Sequence, residues 1–328
     1  MFRAVIPAAG EGRRLKPHTQ TTPKVLLSVA GKPILGHIMD RLVDANPDEV
    51  IVIVGNQGLQ IQDYLTNKYS FKFQFIEQKD PRGLGDAVSR VTDFFKKEQE
   101  PSPVLILLGD TIVDVNLKEI IGKENIIGTK IVEDPRRFGV VETRNGYVTK
   151  ITEKPLEPKN NLAIVGIYYF TSALPLFESL EKIIREDRKT RGEYQLSDAL
   201  QEMVDNGIKI KTYPVEYWLD CGTPEALIAT NRYLLQTTNY FTPRERVVII
   251  PPVYIEDSVS IEESVIGPFV SISEGAEIRN SIIRDSIINQ RAYVENSLME
   301  GSILSENAIV RERAHKVNLG AFSELELG

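Results

Sequence analysis

Short apolar runs alternate with longer segments of helical spacing along the N-terminal part of the chain. Phe2–Ala8 (FRAVIPA), Glu49–Gly55 (EVIVIVG), Phe71–Glu77 (FKFQFIE) and Pro103–Asp110 (PVLILLGD) read as strands. Between them, Lys32–Ala45 repeats its apolar residues at Ile34, Leu35, Ile38, Leu42 and Val43, and Gly58–Tyr69 and Gly83–Lys97 have similar spacing. Strand and helix in alternation predict βαβ units with a parallel sheet. Strands that are apolar nearly throughout predict helices on both faces of that sheet. After Asp110 the rhythm changes: Asn125–Asp134, Phe138–Pro155 and Leu162–Phe170 are strand-like, with Asn145-Gly146 a tight hairpin turn. Helices return at Leu174–Asp187, at Tyr194–Gly207 with Gly207 in a C-cap position, and at Pro224–Gln236 with proline in the first turn.

Thr242–Pro252 breaks the pattern and a repeat begins. A polar residue, a serine and two apolar residues recur at Glu263–Ile266, Asn280–Ile283, Asp285–Ile288, Asn296–Met299 and, with glycine first, Gly301–Leu304. Apolar residues also recur at every sixth position: Ile255 and Ile261; Ile266, Ile272 and Ile278; Ile282, Ile288 and Val294; Leu298, Leu304 and Val310. A six-residue apolar period predicts a hexapeptide β-helix of three or four coils, with one inward residue per face. The fold class expected is therefore α/β, a doubly wound mixed, mainly parallel sheet over residues 1–240. A short hexapeptide-repeat β-helix follows over 241–312, and a tail over 313–328 does not continue the repeat.

Composition narrows the function. The 328 residues are 42% hydrophobic and 26% charged, with a net charge of -7, an ordinary globular composition. No basic patch stands out, so nucleic acid is excluded as a partner on electrostatic grounds. The apolar runs are strand-length, far short of a membrane span. Cys221 is the single cysteine, which rules out an intrachain disulfide and a cysteine metal cluster and fits a cytoplasmic location.

The loop Ala8–Lys24 (AAGEGRRLKPHTQTTPK) carries the candidate chemistry. A loop this long between strand and helix is uncommon unless it binds something. Gly10 and Gly12 let backbone N–H groups approach a phosphate chain. Arg14 offers a fork of donors, Lys24 a compact positive charge, and Pro17 and Pro23 stiffen the loop. The spacing is neither that of a P-loop nor that of the dinucleotide fingerprint.

This loop resembles the signature G-x-G-x-R-L followed by P-K of the sugar-1-phosphate nucleotidylyltransferases, a family with a Rossmann-like domain that in some members carries a left-handed β-helix. The resemblance continues in order through Glu77–Val88, Leu107–Asp114, Phe138–Glu142, Ile151–Pro155, Val165–Phe170, Arg191–Leu200 and Trp218–Leu227. It implies that a sugar 1-phosphate attacks the α-phosphorus of a nucleoside triphosphate and releases pyrophosphate. A sugar phosphate is already anionic, so catalysis must come from alignment and charge neutralisation. By resemblance, Arg14 and Lys24 are catalytic, and Asp110 and Asp220 hold Mg²⁺. Ala8, Gly10, Gly12, Gln78 and Gly83 bind the nucleotide, and Gly139, Glu153, Lys154 and Ile164 line the sugar-phosphate site. Arg13 falls at a variable position.

Pocket identity is read from fewer residues. A glutamine amide at Gln78 presents a donor and an acceptor to the O4/N3–H edge of uracil or thymine. Gly83–Asp86 reads GLGD where guanylyl-transferring relatives carry G-T-A-G, which favours a pyrimidine. Ile164 stands where N-acetylglucosamine-specific relatives tend to carry asparagine, which leans towards glucose 1-phosphate. N-acetylglucosamine-1-phosphate uridylyl transfer and mannose-1-phosphate guanylyl transfer are the alternatives within the class. A non-catalytic regulatory subunit is the alternative outside it. Cys221 reads as a small packing residue and His18 as structural. His315 follows the β-helix, whose three or four coils leave little room for the acyltransferase site with a histidine base that some relatives carry on a longer one. A homo-oligomer through the β-helix and the catalytic domain is expected, because exposed coil faces and ends need cover.

Overall fold

The computed structural model describes residues 1–96, 102–122 and 124–312; Lys97, His315 and the tail at 313–328 lie outside them. The elements run β1 (Arg3–Ala8), β2 (Ser28–Val29), β3 (Lys32–Pro33), α1 (Ile34–Ala45), β4 (Glu49–Val54), α2 (Gly58–Lys68) and β5 (Phe73–Glu77). Then follow α3 (Leu84–Ser89), α4 (Thr92–Lys96), β6 (Val104–Leu107), β7 (Thr111–Asp114), α5 (Leu117–Ile120), β8 (Ile126–Ile131), β9 (Gly139–Arg144), β10 (Tyr147–Glu153) and β11 (Leu162–Phe170). The α/β part closes with α6 (Leu174–Arg185), α7 (Leu196–Asp205), β12 (Lys211–Pro214), β13 (Tyr217–Asp220) and α8 (Pro224–Leu235). The helix expected over Gly83–Lys97 is two helices, broken at Arg90-Val91.

Nine strands form one sheet in the order β5-β4-β1-β6-β11-β8-β12-β10-β9. β5, β4, β1 and β6 run parallel, and β11 enters antiparallel to both β6 and β8. β4, β1 and β6 are buried on both faces, with Val5, Ile51 and Ile106 inside on one and Ile6, Val52 and Leu105 on the other, as the uninterrupted apolar strands require. β1 lies between β4 and β6, so the strand order reverses there. Ligands bind beyond the carboxyl ends of strands at such a switch point, and the long loop leaves the sheet at this place. Asn145 and Gly146 both adopt positive φ, 54° and 80°, the signature of the hairpin turn. After α7, the N–H groups of Gly207 and Ile208 bond to the carbonyls of Val204 and Met203, a Schellman closure.

The chain divides into two compact units, one of Met1–Leu27 with Lys32–Leu227 and one of Ser28–Gly31 with the residues from Ile228 onward. The second is a β-helix of twelve short parallel strands on three faces, four strands to each. They are β14 (Val248–Ile249), β15 (Val253–Ile255), β16 (Ser260–Glu262), β17 (Val265–Ile266), β18 (Val270–Ile272), β19 (Glu277–Arg279), β20 (Ile282–Arg284), β21 (Ile287–Ile288), β22 (Tyr293–Glu295), β23 (Leu298–Glu300), β24 (Ile303–Leu304) and β25 (Ile309–Arg311). Three inward stacks fill it: Ile249/Ile266/Ile283/Met299, Ile255/Ile272/Ile288/Leu304 and Ile261/Ile278/Val294/Val310.

Ile282 and Leu298, expected inside, point outward at 38% and 71% exposure, and their neighbours Ile283 and Met299 take the inward places. The polar-Ser pairs explain the slip. Glu263, Asn280, Asp285 and Asn296 adopt φ of 46°, 47°, 43° and 53°, and each precedes a serine that turns the corner in one residue fewer. Inward residues are five apart across such a corner, as from Ile283 to Ile288, and six apart elsewhere, as from Ile288 to Val294. Each corner serine donates Oγ–H to the carbonyl two residues back, as Ser281 does to Arg279 at 2.7 Å. Ser264, Ser281 and Ser286 also accept the N–H of the serine one coil on, as Ser281 does from Ser297 at 3.1 Å. Among the described residues no helix is long and apolar enough to cross a membrane.

Candidate active site

The loop after β1 folds on itself in short helical turns at Arg13–Leu15, His18–Gln20 and Lys24–Leu26. Gly12 has φ of +61°, and a Cβ there would meet Thr19 Cγ2 at 2.9 Å and Lys24 Cβ at 3.0 Å, so the turn requires glycine. Its carbonyl accepts the Thr19 hydroxyl at 2.9 Å and the Leu15 N–H at 2.9 Å. Gly10 needs no unusual φ; space is open beside it. His18 is half-buried, and desolvation lowers its imidazole pKa.

Two cavities flank this loop. One, of 380 Å³, is lined by Ala8, Gly10 and Lys16 of the loop, by Gly55 and Asn56 after β4, and by Gln78 after β5. The other, of 520 Å³, collects Arg14, Asp110, Asp220, Gly139, Glu153, Lys154 and Ile164. Gln78 is thereby separated from the residues assigned to sugar and metal. Gly12, Lys24 and Gly83 line neither cavity and support the walls.

β6 ends just before Asp110, and β7 runs back antiparallel to β13, which ends at Asp220. Asp220 pairs with Thr111, and the Cys221 N–H donates to the Asp110 carbonyl at 3.2 Å. The two aspartates therefore lie on adjacent chain segments although 109 residues intervene between Asp110 and Asp220. Cys221 is wholly buried beside them, in keeping with a packing role. Lys24, 7% exposed, donates from Nζ to Asp110 Oδ2 at 2.5 Å, so its charge is held against an aspartate. A Cβ on Gly222 would lie 2.7 Å from Arg14 Nη2 and 3.0 Å from Asp220 Oδ1, which brings the Arg14 guanidinium to the second aspartate. Arg13 turns away to Glu11 at 2.7 Å, on the exposed side of the loop. Two carboxylates on adjacent strand ends suit Mg²⁺, which binds one or two carboxylates and completes its shell with phosphate oxygens and water. Among the described residues no cluster of three or more His, Cys, Asp or Glu could cage a metal.

In the second cavity Glu153 accepts from the Ser197 hydroxyl at 2.8 Å and faces Lys154 Nζ at 3.2 Å. Lys154 adopts φ of +43°, a strained conformation for a residue with a side chain. Its backbone is pinned on both sides, its N–H donating to Phe138 and its carbonyl accepting from Arg191 Nη2 at 2.6 Å. A Cβ on Gly139 would stand 3.2 Å from both Glu153 Oε2 and Ile164 Cδ1, so that glycine makes room for Glu153. Between Ile164 and Tyr168 the β11/β8 register shifts, and both side chains line the cavity. Burial, and then the charges of Glu153 and Asp110, push the Tyr168 phenol up, so it stays a neutral donor. Trp218 meets Phe138 edge-on at 4.6 Å and forms an apolar wall.

Sequence reasoning did not single out Tyr168, Arg191, Ser197 or Trp218, although each lies in a segment that carries the resemblance. Spacing alone does not bring Ser197 to Glu153. At the first cavity, Gln78 is 6% exposed, and its amide nitrogen donates to Asp86 Oδ2 at 2.8 Å and to the Gly83 carbonyl at 3.2 Å. Both donors are thus used within the protein, where the sequence reading had offered one to a base. Gly83 has φ of +116°, and a Cβ there would meet the Tyr194 carbonyl at 2.5 Å.

The chain is 31% identical, over 74% of its own length and the whole of the relative, to UTP–glucose-1-phosphate uridylyltransferase AglF of Haloferax volcanii. It is 29% identical to glucose-1-phosphate thymidylyltransferase of Streptomyces antibioticus over 99% of both chains. It is 35% identical to the bifunctional protein GlmU of Methanocaldococcus jannaschii over 77% of its own length, spanning 60% of that longer protein. The nucleotidyl transferase family model matches residues 3–237, and the chain belongs to that family.

Proposed function

We propose that the protein transfers a nucleotidyl group from dTTP or UTP to a sugar 1-phosphate, with glucose 1-phosphate as the preferred sugar, and releases pyrophosphate. The observation that carries this reading is the pair of cavities on either side of one loop, with Arg14, Asp110 and Asp220 lining the second and Lys24 behind Asp110. The base and ribose occupy the cavity at Gln78, and the sugar occupies the cavity at Glu153. The α-phosphorus then sits by the loop that divides them. A sugar phosphate oxygen attacks it, the new P–O bond forms, and the bond to pyrophosphate breaks in line. Lys154 grips the sugar phosphate, Glu153 accepts from sugar hydroxyls, and Arg14 stabilises the departing charge. Mg²⁺ held by Asp110 and Asp220 would supply further neutralisation of phosphate charge.

A regulatory subunit without catalysis is disfavoured because all four charged residues are retained and Arg14, Asp110 and Asp220 line one cavity. The apolar side chain of Ile164 in the cavity supports glucose, and the GlmU relative keeps N-acetylglucosamine 1-phosphate as the competing sugar. Uracil and thymine differ by a methyl group, worth about 1 kcal/mol in an apolar pocket, so dual use of UTP and dTTP follows. Copies associate through the β-helix, whose outward residues Val248, Val265, Ile282 and Leu298 stack in register.

The test is pyrophosphate release in Mg²⁺, crossing dTTP, UTP, GTP, ATP and CTP with glucose, N-acetylglucosamine, mannose and galactose 1-phosphates. A maximum at dTTP or UTP with glucose 1-phosphate is expected. A maximum elsewhere overturns the pocket assignment, and no release in any combination overturns the enzyme reading.

A further inference from the structure

Asp86 touches no substrate in the proposed reaction, yet it is wholly buried behind Gln78. It lies in the first turn of α3, and its carboxylate accepts from Gln78 Nε2 at 2.8 Å, Arg82 Nη2 at 2.6 Å and Arg90 Nη2 at 3.2 Å. The short segment that carries it is fixed independently. Tyr194 accepts the Gly85 N–H at 2.8 Å and donates its own N–H to the Arg82 carbonyl at 2.9 Å, and the Arg82 guanidinium stacks over the Tyr194 ring at 5.4 Å.

A carboxylate has acceptors only, so the side of the Gln78 amide that faces it must be the NH₂ group. The second amide N–H goes to the Gly83 carbonyl, and the only polar atom Gln78 has left is Oε1, an acceptor. We propose that Asp86 is a positioning residue that locks the Gln78 amide with its oxygen free, so that the site selects bases carrying a ring N–H. Uracil and thymine, with N3–H, satisfy this acceptor. Cytosine, of the same size, presents a bare N3 and meets it oxygen against lone pair. A buried site built for one hydrogen-bond pattern rejects the mismatched ligand strongly because the polar group is left unpaired.

The inference rests on the assignment of Gln78 to the base, and kcat/KM for UTP and CTP with glucose 1-phosphate tests both. Wild-type enzyme is expected to prefer UTP by at least about 100-fold. A preference under about tenfold overturns the lock, whatever the variants do. If neither UTP nor dTTP is used, the base assignment itself falls. In Asp86→Asn the oxygen of the new amide is drawn to Arg82 and Arg90 and its N–H turns to Gln78, opposing the hold of the Gly83 carbonyl, so the UTP preference drops at least about tenfold with a rise for CTP. A merely structural role lowers both rates together, and an unchanged ratio in folded Asp86→Asn overturns the proposal while the base assignment stands.

Discussion

Asp110 is shared between two demands. Its Oδ2 takes the buried Lys24 ammonium, while 39% of its side chain remains exposed to the second cavity. Asp110→Asn keeps an oxygen for Lys24 and removes the negative charge. Turnover in Mg²⁺ should fall on the order of 10³-fold, the effect of losing several kcal/mol of charge stabilisation, with the circular dichroism spectrum unchanged and the thermal midpoint lowered because the buried Lys24 ammonium loses its counter-charge. Undiminished turnover would refute the assignment of Asp110 to the metal. At this scale the sequence was most informative where backbone geometry demanded a residue type: Gly12, the Asn145-Gly146 turn and Gly207. It was least informative for Gln78, whose free atom depends on the buried Asp86 eight positions on.

At the scale of elements, α6 and α7 are joined by a charge cluster behind the sheet. Glu202 on α7 accepts from Lys182 on α6 at 2.5 Å and from Arg188 at 2.8 Å. These hydrogen bonds lower its carboxyl pKa to about 2. A depressed carboxyl contributes stability above the pKa it has in the unfolded chain, about 4.3. That contribution is lost as pH falls towards the folded value near 2. Both cations are partly exposed, so screening reduces the gain, and Glu202→Gln should cost about 1 kcal/mol at pH 7. Denaturant titrations at falling pH should find the two proteins converging near pH 2; a constant difference would contradict the sign. The β-helix gives a second lesson in elements. Its three-faced design was legible from the six-residue period, but Ile282 and Leu298 were misassigned, because a left-handed residue with its serine closes a corner one residue early.

For the molecule as a whole, assembly is the open dimension. Val248, Val265, Ile282 and Leu298 form a stacked apolar line on one β-helix face, with Val248 57% and Leu298 71% exposed. Large contiguous apolar surface marks an interaction site. Light scattering should give a multiple of the 36.9 kDa chain mass for the wild type. The double variant Ile282→Glu, Leu298→Glu, which sets a charge on two adjacent rungs, should shift the species towards the monomer. A monomeric wild type, or a variant that assembles unchanged, would reject this face as the contact.

By itself the sequence determined whatever depends on neighbours along the chain. The alternation of apolar strand and amphipathic helix, the glycines of positive φ, the loop that must serve a ligand and the coil repeat are all local periodicities or local sterics. Only the tertiary structure decided what depends on residues distant in sequence. It brought Asp220 to Asp110 through an antiparallel ladder, Ser197 to Glu153 and Arg191 to the carbonyl of Lys154. It also separated Gln78 from the sugar-site residues by the loop after β1. The physical reason is that a site is a matter of distances between side chains. Strand order and register set those distances, and both are chosen by burial of the whole sheet rather than by the residues the site employs.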